Sequence, residues 1–208
     1  MFEMPKQGLY AITPDGKTAG NILKFTEAVL KGGASVVQYR DKGLNDETDL
    51  ASKLLTLCHA YHVPLIINDN VELAENMGAD GVHLGKDDDS ILNARQRLGE
   101  SAIIGVSCYN SIERAIEAQK QGANYVAFGR FFTSNSKPLA APAEISTLTA
   151  AKNVLTLPIV AIGGILPENG ATLLSAGADL LAVIGGLDTE NSELSAQTFM
   201  ALFSSNAH

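Results

Sequence analysis

Short apolar runs rich in Val, Ile and Ala alternate along the chain with longer segments in which apolar residues recur every three or four positions. The first pattern fits strands buried on both faces, and the second fits amphipathic helices. The runs fall at 9–13, 35–39, 64–67, 81–84, 102–106, 125–128, 158–162 and 180–184, with helix-like segments such as 21–30, 47–59, 111–121 and 169–175 between them. Strands that alternate with helices predict a parallel sheet. Gly-Ala stands just ahead of every second run, at Gly33-Ala34, Gly78-Ala79, Gly122-Ala123 and Gly177-Ala178. A glycine that ends a helix before the chain turns back to a strand accounts for the repetition. The first two intervals are nearly equal. The third is longer, which predicts an extended loop around Ser134 to Glu144 after strand six. Eight evenly spaced units in so short a chain favour a closed α/β barrel, the (β/α)8 TIM barrel, over an open doubly wound sheet. The reading is one domain spanning 1–208, with its active site at the C-terminal ends of the strands.

Composition narrows the function classes. The chain has 208 residues, 46% of them hydrophobic and 18% charged, with a formal net charge of −8. This balance argues against disorder, and against a general nucleic-acid or anionic-membrane surface. Any anion must be met by a local basic site. The two cysteines, Cys58 and Cys108, form neither a disulfide framework nor a metal spacing, which suits a reducing cytoplasm. No apolar run reaches membrane-span or signal-peptide length. The expected partners are small molecules rather than nucleic acid or membrane, and a homo-oligomer is compatible with the sequence.

The polar residues that follow the strands carry the chemistry. Gln38, Arg40 and Lys42 alternate to one side after strand two, and the planar fork of Arg with the point charge of Lys suits phosphate oxygens. The competing explanation is a surface strand end paired with Asp41 and Asp46. Asn68-Asp69-Asn70 follows strand three, and Asp87, Asp88 and Asp89 follow strand four. Carboxylates from adjacent strand ends can converge on one hard cation such as magnesium, completed by substrate phosphates. Asp69 can equally cap the next helix, and Asp89 the helix that begins near Ser90. His83 fits a packed or hydrogen-bonded barrel histidine better than a metal ligand. Ser107 follows strand five. After strand six, Ser134, Ser136 and Lys137 make an anion-binding loop or a polar loop without function. Gly163-Gly164 and Gly185-Gly186 follow strands seven and eight, where barrels of this kind bind phosphate. No Ser-His-Asp or Cys-His arrangement is readable. The combined rim predicts two anion sites, one metal-assisted for a diphosphate and one glycine-lined for a monophosphate, and transfer with a diphosphate leaving group.

The motifs themselves resemble the thiamine-phosphate synthase family over nearly the whole chain. They are Leu-Tyr-Ala-Ile-Thr from Leu9, Gln-Tyr-Arg-Asp-Lys from Gln38, Ile-Asn-Asp from Ile67, Gly-Ala-Asp-Gly-Val-His-Leu-Gly from Gly78, Gly-Val-Ser from Gly105, the Lys137 loop, and Ile-Val-Ala-Ile-Gly-Gly-Ile from Ile159. The resemblance implies a transferase of thiamine biosynthesis that joins hydroxymethylpyrimidine diphosphate to a thiazole phosphate, giving thiamine monophosphate and diphosphate. It implies that Gln38, Tyr39, Arg40, Asp41, Lys42, Asn68, Ser107 and Lys137 bind the pyrimidine diphosphate. Asp69 and Asp88 would hold Mg2+, and Ser134, Asn135, Ser136, Gly164, Ile184 and Gly185 would bind the thiazole phosphate. Ser134 and Ser136 depart from the usual threonines, and Gly185 replaces a common serine. A thiazole tautomerase on the same barrel is the nearest rival, but it needs a histidine where this chain has Tyr109. A non-catalytic phosphate-binding barrel is the alternative from another class.

Overall fold

The computed structural model describes residues 2–40, 47–86, 88–133 and 141–205. The elements are β1(Gly8–Ile12), α1(Ala19–Lys31), β2(Val36–Tyr39), α2(Glu47–Ala60), β3(Leu65–Asn68), α3(Val71–Met77), β4(Gly81–Leu84) and α4(Ile91–Leu98), followed by β5(Ile103–Tyr109), α5(Ile112–Lys120), β6(Tyr125–Gly129), α6(Ile145–Lys152), β7(Ile159–Ile162), α7(Pro167–Ser175), β8(Leu180–Val183) and α8(Ser192–Ser205). All eight strands run parallel in the order β1 to β8, and β8 pairs with β1 to close the barrel. The eightfold reading of the hydrophobic pattern holds, helix by helix.

Closure divides the strand residues into two sets, because successive side chains point to opposite faces. Tyr10, Ile12, Val36, Ile66, Ile103, Tyr125, Ala127, Val160, Leu180 and Ala182 fill the interior. Leu9, Ala11, Val37, Leu65, Ile67, Val82 and Ile104 belong to the layer between strands and helices. The interior is crowded enough that its small residues are obligatory. A Cβ on Gly105 would lie 1.9 Å from the Cζ of Tyr125, and one on Gly81 would lie 1.9 Å from the carbonyl oxygen of Ile103. Gly105 therefore makes the space that the Tyr125 ring occupies.

The Gly-Ala pairs close four helices at the opposite end of the barrel from the candidate site. Gly33, Gly78, Gly122 and Gly177 all have positive φ, and the alanine N–H after each reaches back to the carbonyl of Val29, Ala74, Ala118 or Leu173. In three of the four units the next side chain then braces the preceding strand. Asp80, Asn124 and Asp179 accept hydrogen bonds from the backbone N–H of Leu65, Ile104 and Ile159, at 2.8, 2.9 and 2.9 Å. The repetition is thus structural.

Strand five differs from the expectation. It continues through Ser107 to Tyr109, with a shift of register against β6 between Ser107 and Tyr109, and Tyr109 itself has φ of 57°. A bulge adds length and re-aims side chains without ending the strand, which hydrophobicity alone does not register.

Four buried acids make the fold sensitive to alkaline pH. Burial pushes the Cys58 and Cys108 thiols up to about 12 from an ordinary 9.0. Burial likewise raises the Tyr10 and Tyr125 hydroxyls above their ordinary 10.0. Each stays protonated in the fold and ionises in the unfolded chain, so its contribution is full below its unfolded pKa and is lost as pH climbs past it. We expect urea midpoints to be insensitive to these groups up to pH 8.5 and to fall steeply by pH 10.5. The slope should approach about 1.4 kcal/mol per pH unit for each ionising group, and a Cys58→Ala/Cys108→Ala protein should show a shallower one.

Candidate active site

At the end of β2 the backbone is clamped before any side chain reaches the mouth. Thr13, fully buried, donates its N–H to the Gln38 carbonyl at 3.0 Å. Its hydroxyl accepts the Arg40 N–H and donates to the Arg40 carbonyl, both at 2.9 Å. Gln38 points into the barrel, where its Nε2 donates to the Tyr10 hydroxyl at 2.9 Å. The Arg40 side chain is 7% exposed and pairs with Asp15, itself 39% exposed. Asp15 is the partner seen among the described residues, and Asp41 and Asp46, the acids expected from the sequence, lie outside them. A buried guanidinium beside a more exposed carboxylate is chemically suited to an anion, because a phosphate can offer its fork a pair of oxygens. Tyr39 is buried between Gln38 and Arg40 in sequence but not on their face. Alternation turns its ring to the other face, into the strand–helix layer with Ile67 and Val71, away from Gln38. Asp41 and Lys42 lie outside the described residues.

The acidic half of the mouth comes from the ends of β3 and β4. Asn70, not Asp69, caps α3, accepting the Leu73 N–H at 2.9 Å. Asp69 is thereby released for another role. It adopts φ of 61°, unusual for a residue with a side chain, and is held there by its N–H to the His83 carbonyl at 2.8 Å and by the Asn68 amide on its Oδ2 at 2.6 Å. Asp88 turns back to accept the Gly85 N–H through Oδ2 at 2.6 Å. A Cβ on Gly85 would stand 2.6 Å from that oxygen and 3.8 Å from Asp69 Oδ1, so the two carboxylates converge over one bare stretch of backbone. Among the described residues no third His, Cys, Asp or Glu joins them to make a larger cluster. Two carboxylates with room for substrate oxygens are a donor set that fits magnesium. Asp89 does not cap α4 as expected. Ser90 does, accepting the Asn93 N–H, while Asp89 accepts from the Asn93 amide at 2.7 Å. Asp87 lies outside the described residues.

Ser107 and His83 link this half to the barrel interior. His83 Nε2 lies 2.9 Å from Ser107 Oγ, and Nδ1 lies 2.9 Å from the Tyr125 hydroxyl, which is 2.7 Å from the Tyr10 hydroxyl. His83 is therefore the hydrogen-bonded barrel histidine that the sequence suggested. From α5, Arg114 donates Nε to the Ser107 carbonyl at 2.8 Å and Nη2 to the Gly85 carbonyl at 2.9 Å, with its guanidinium 5.9 Å above the Tyr109 ring. One side chain thus fixes the spacing between Ser107 and the backbone that carries Asp88. No sequence signal marked Arg114, since an arginine in the first turn of a helix reads as solvated. Thr13 and Tyr10 sat in a recognised motif, but their roles depend on partners far away in the chain.

The remaining rim comes from β6, β7 and β8. Ser134, Asn135, Ser136 and Lys137 lie outside the described residues, but the base of their loop is pinned. The Ala143 N–H donates to the Arg130 carbonyl at 2.7 Å, and the Glu144 N–H donates to the Asn110 side chain at 3.0 Å. The loop stem also explains two glycines. A Cβ on Gly163 would meet Arg130 Cβ at 2.2 Å, and one on Gly164 would meet the Thr133 carbonyl oxygen at 2.3 Å. Gly164 is fixed further by the Asn169 amide on its carbonyl at 3.1 Å. The Ile184 side chain packs against the interior cluster, and its carbonyl accepts the N–H groups of Leu187 and Asp188. Gly185 faces open space, whereas a Cβ on Gly186 would be 2.9 Å from the Ile165 carbonyl oxygen.

The convergence of the carboxylates over Gly85 is open to a direct test. Gly85→Ala places a methyl group against Asp88 Oδ2, so the carboxylate must move. Manganese binding in the presence of inorganic pyrophosphate should weaken by about tenfold or more, the cost of one displaced charged ligand. The melting temperature should change little, since the site is on the surface rim.

Comparison with known proteins gives a consistent picture. The family model for thiamine monophosphate synthase matches residues 9–187. A thiamine-phosphate synthase from Methylobacillus flagellatus is 50% identical over 202 residues, spanning 96% of each chain. Another, from Marinobacter nauticus, is 52% identical over 185 residues, covering 88% of this chain and 83% of that one. Among solved structures, a thiamine phosphate pyrophosphorylase from Pyrococcus furiosus superposes with a TM-score of 0.87 at 29% identity, covering 98% of both chains.

Proposed function

The chain belongs to the thiamine-phosphate synthase family and is a transferase with that family's activity, and on that premise we propose how its rim divides the work of joining hydroxymethylpyrimidine diphosphate to a thiazole phosphate. The whole of 1–208 acts as one barrel domain with the reaction at the C-terminal strand ends. Arg40, Asn68 and Ser107, with Lys42 and Lys137, bind the diphosphate of the pyrimidine substrate, and Gln38 lies beneath its ring. Asp69 and Asp88 hold magnesium, which when bound neutralises charge on the diphosphate. The backbone at Gly164, Ile184 and Gly185, with Ser134, Asn135 and Ser136, takes the thiazole phosphate. The observation that carries this reading is the meeting of Asp69 and Asp88 over Gly85, tied through Arg114 to Ser107.

The chemistry asks for positioning and charge stabilisation rather than a protein nucleophile. The bond from the pyrimidine methylene carbon to the diphosphate oxygen breaks, and its electron pair leaves with the diphosphate. The aminopyrimidine stabilises the methylene cation, and the lone pair of the thiazole nitrogen forms the new C–N bond. A thiazole that carries a carboxylate loses carbon dioxide as well. Arg40 and Ser107 donate to the oxygens on which charge develops, and they are fixed in advance by Thr13 and Arg114, so little reorganisation is needed. Small-molecule substrates are the partners on this reading. Among the described residues no helix is long and apolar enough to cross a membrane. The two buried cysteines are free thiols, which supports action in the reducing cytoplasm.

Mixing the two substrates with magnesium should yield thiamine monophosphate, and excess chelator should stop its formation. Arg40→Ala should raise KM for the pyrimidine diphosphate by roughly 10- to 150-fold, the equivalent of a charge-assisted contact of about 1.5–3 kcal/mol. Thiazole phosphate affinity, measured by calorimetry, should stay within about twofold of the parent protein. The reverse ranking would exchange the two anion sites. Gly185→Ser, whose Cβ enters open space, should lower KM for the thiazole phosphate about threefold or more by restoring one hydroxyl donor.

A further inference from the structure

Five side chains from five strands form one unbroken hydrogen-bonded chain across the barrel: Gln38, Tyr10, Tyr125, His83 and Ser107. Its two ends are residues assigned above to the pyrimidine diphosphate. Its middle is fully buried, with Tyr10 and Tyr125 both at 1% exposure or less. The proton count along such a chain is constrained, because each hydroxyl has one proton to give and the neutral imidazole has one donor and one acceptor nitrogen.

The Gln38 amide nitrogen can only donate, so the Tyr10 oxygen accepts from it. The Tyr10 proton then goes to the Tyr125 oxygen, and the Tyr125 proton goes to His83 Nδ1. His83 must carry its own proton on Nε2, where it meets Ser107 Oγ. Ser107 accepts that bond and keeps its hydroxyl proton for a group above it. Burial raises both tyrosine hydroxyls well above their ordinary range, so neither gives up its proton to interrupt the sequence. Turning one interior bond around alone leaves a buried hydroxyl proton without an acceptor, which is costly. Only turning the Gln38 amide over reverses all the bonds together, and Ser107 would then donate to His83 and offer the site a lone pair.

We propose that Tyr10, Tyr125 and His83 are positioning residues that polarise this chain toward the mouth, holding His83 as the neutral Nε2–H tautomer so that the Ser107 hydroxyl serves the diphosphate as a donor. The polarity rests on the reading that Ser107 meets the diphosphate, since an anion at the mouth favours a donor there and disfavours the reversed chain. Gly105 belongs to the same device, because a side chain there would displace the Tyr125 ring and separate its hydroxyl from His83.

The tautomer is directly measurable by nitrogen-15 NMR of the full chain labelled at histidine, with the His83 signals assigned from a His83→Gln protein. We expect His83 to show a protonated Nε2 and a bare, hydrogen-bonded Nδ1 in the presence of magnesium and inorganic pyrophosphate. A ring protonated at Nδ1 overturns the inference. Kinetics give a second reading. Tyr125→Phe removes the donor to Nδ1, so KM for the pyrimidine diphosphate should rise about tenfold while KM for the thiazole phosphate is unchanged. Adding Ser107→Ala to that protein should raise it no further. A KM that stays the same or falls in Tyr125→Phe fits the reversed chain and overturns the proposal. If Tyr125→Phe folds poorly, the tautomer of the unaltered protein decides regardless. Ser107→Ala alone separates the two levels of argument, since an unchanged KM there removes Ser107 from the diphosphate site while the tautomer result stands by itself.

Discussion

Closing eight parallel strands into a ring so small that side chains must fill it is the constraint on which the rest of the molecule depends. Every second residue of every strand enters one shared interior, so the sizes of residues from distant parts of the chain become coupled. The clearest case is Gly105, which exists as a glycine because the ring of Tyr125 lies where its side chain would be. With that ring in place, the hydroxyls of Tyr10 and Tyr125 meet at the centre, and a polar chain can run from Gln38 to Ser107 through an otherwise apolar core. Buried polar groups are tolerated only when each finds a partner, and here each partner comes from a different strand.

Above the packed interior, the rim is organised by ties between loops. Thr13 fixes the backbone of Arg40, Arg114 joins the ends of β4 and β5, and Asn110 anchors the return of the β6 loop. None of these side chains has to meet a substrate to matter. They convert neighbouring loops into one frame, which lets a reaction that needs only placement and charge stabilisation proceed without a nucleophile from the protein. The left-handed backbone at Asp69 fits the same logic. A strained conformation persists because hydrogen bonds on both sides of it, to His83 and from Asn68, leave no better alternative.

Much of this was legible in the linear chain. Eight apolar runs, their spacing and the Gly-Ala closures were enough to read a closed barrel, because strand and helix periods are local properties and eight successive strand–helix units have few ways to pack. The family motifs likewise pointed to the residues at the strand ends. Local patterning misled where two local roles competed. Asp69 and Asp89 both looked like helix caps, yet Asn70 and Ser90 cap the helices, and the choice turns on one residue of offset that composition does not resolve. Tyr39 shares a motif with Gln38 and Arg40, and the period-two alternation that sends its ring into the strand–helix layer is itself readable from the strand.

The sequence by itself determined the number and order of the elements, the acidic balance, the family and the set of polar residues delivered to one rim, since each follows from short-range pattern or from motif. Only the tertiary structure decided which of those residues face one another. That Arg40 pairs with Asp15, that the carboxylates of Asp88 and Asp69 meet over Gly85, that Arg114 spans two loops, and that His83 stands between Tyr125 and Ser107 are all contacts between residues on different strands and loops. They exist because strand pairing and, for His83 and Tyr125, barrel closure bring those elements together, and no local preference encodes a distance between segments far apart in the chain.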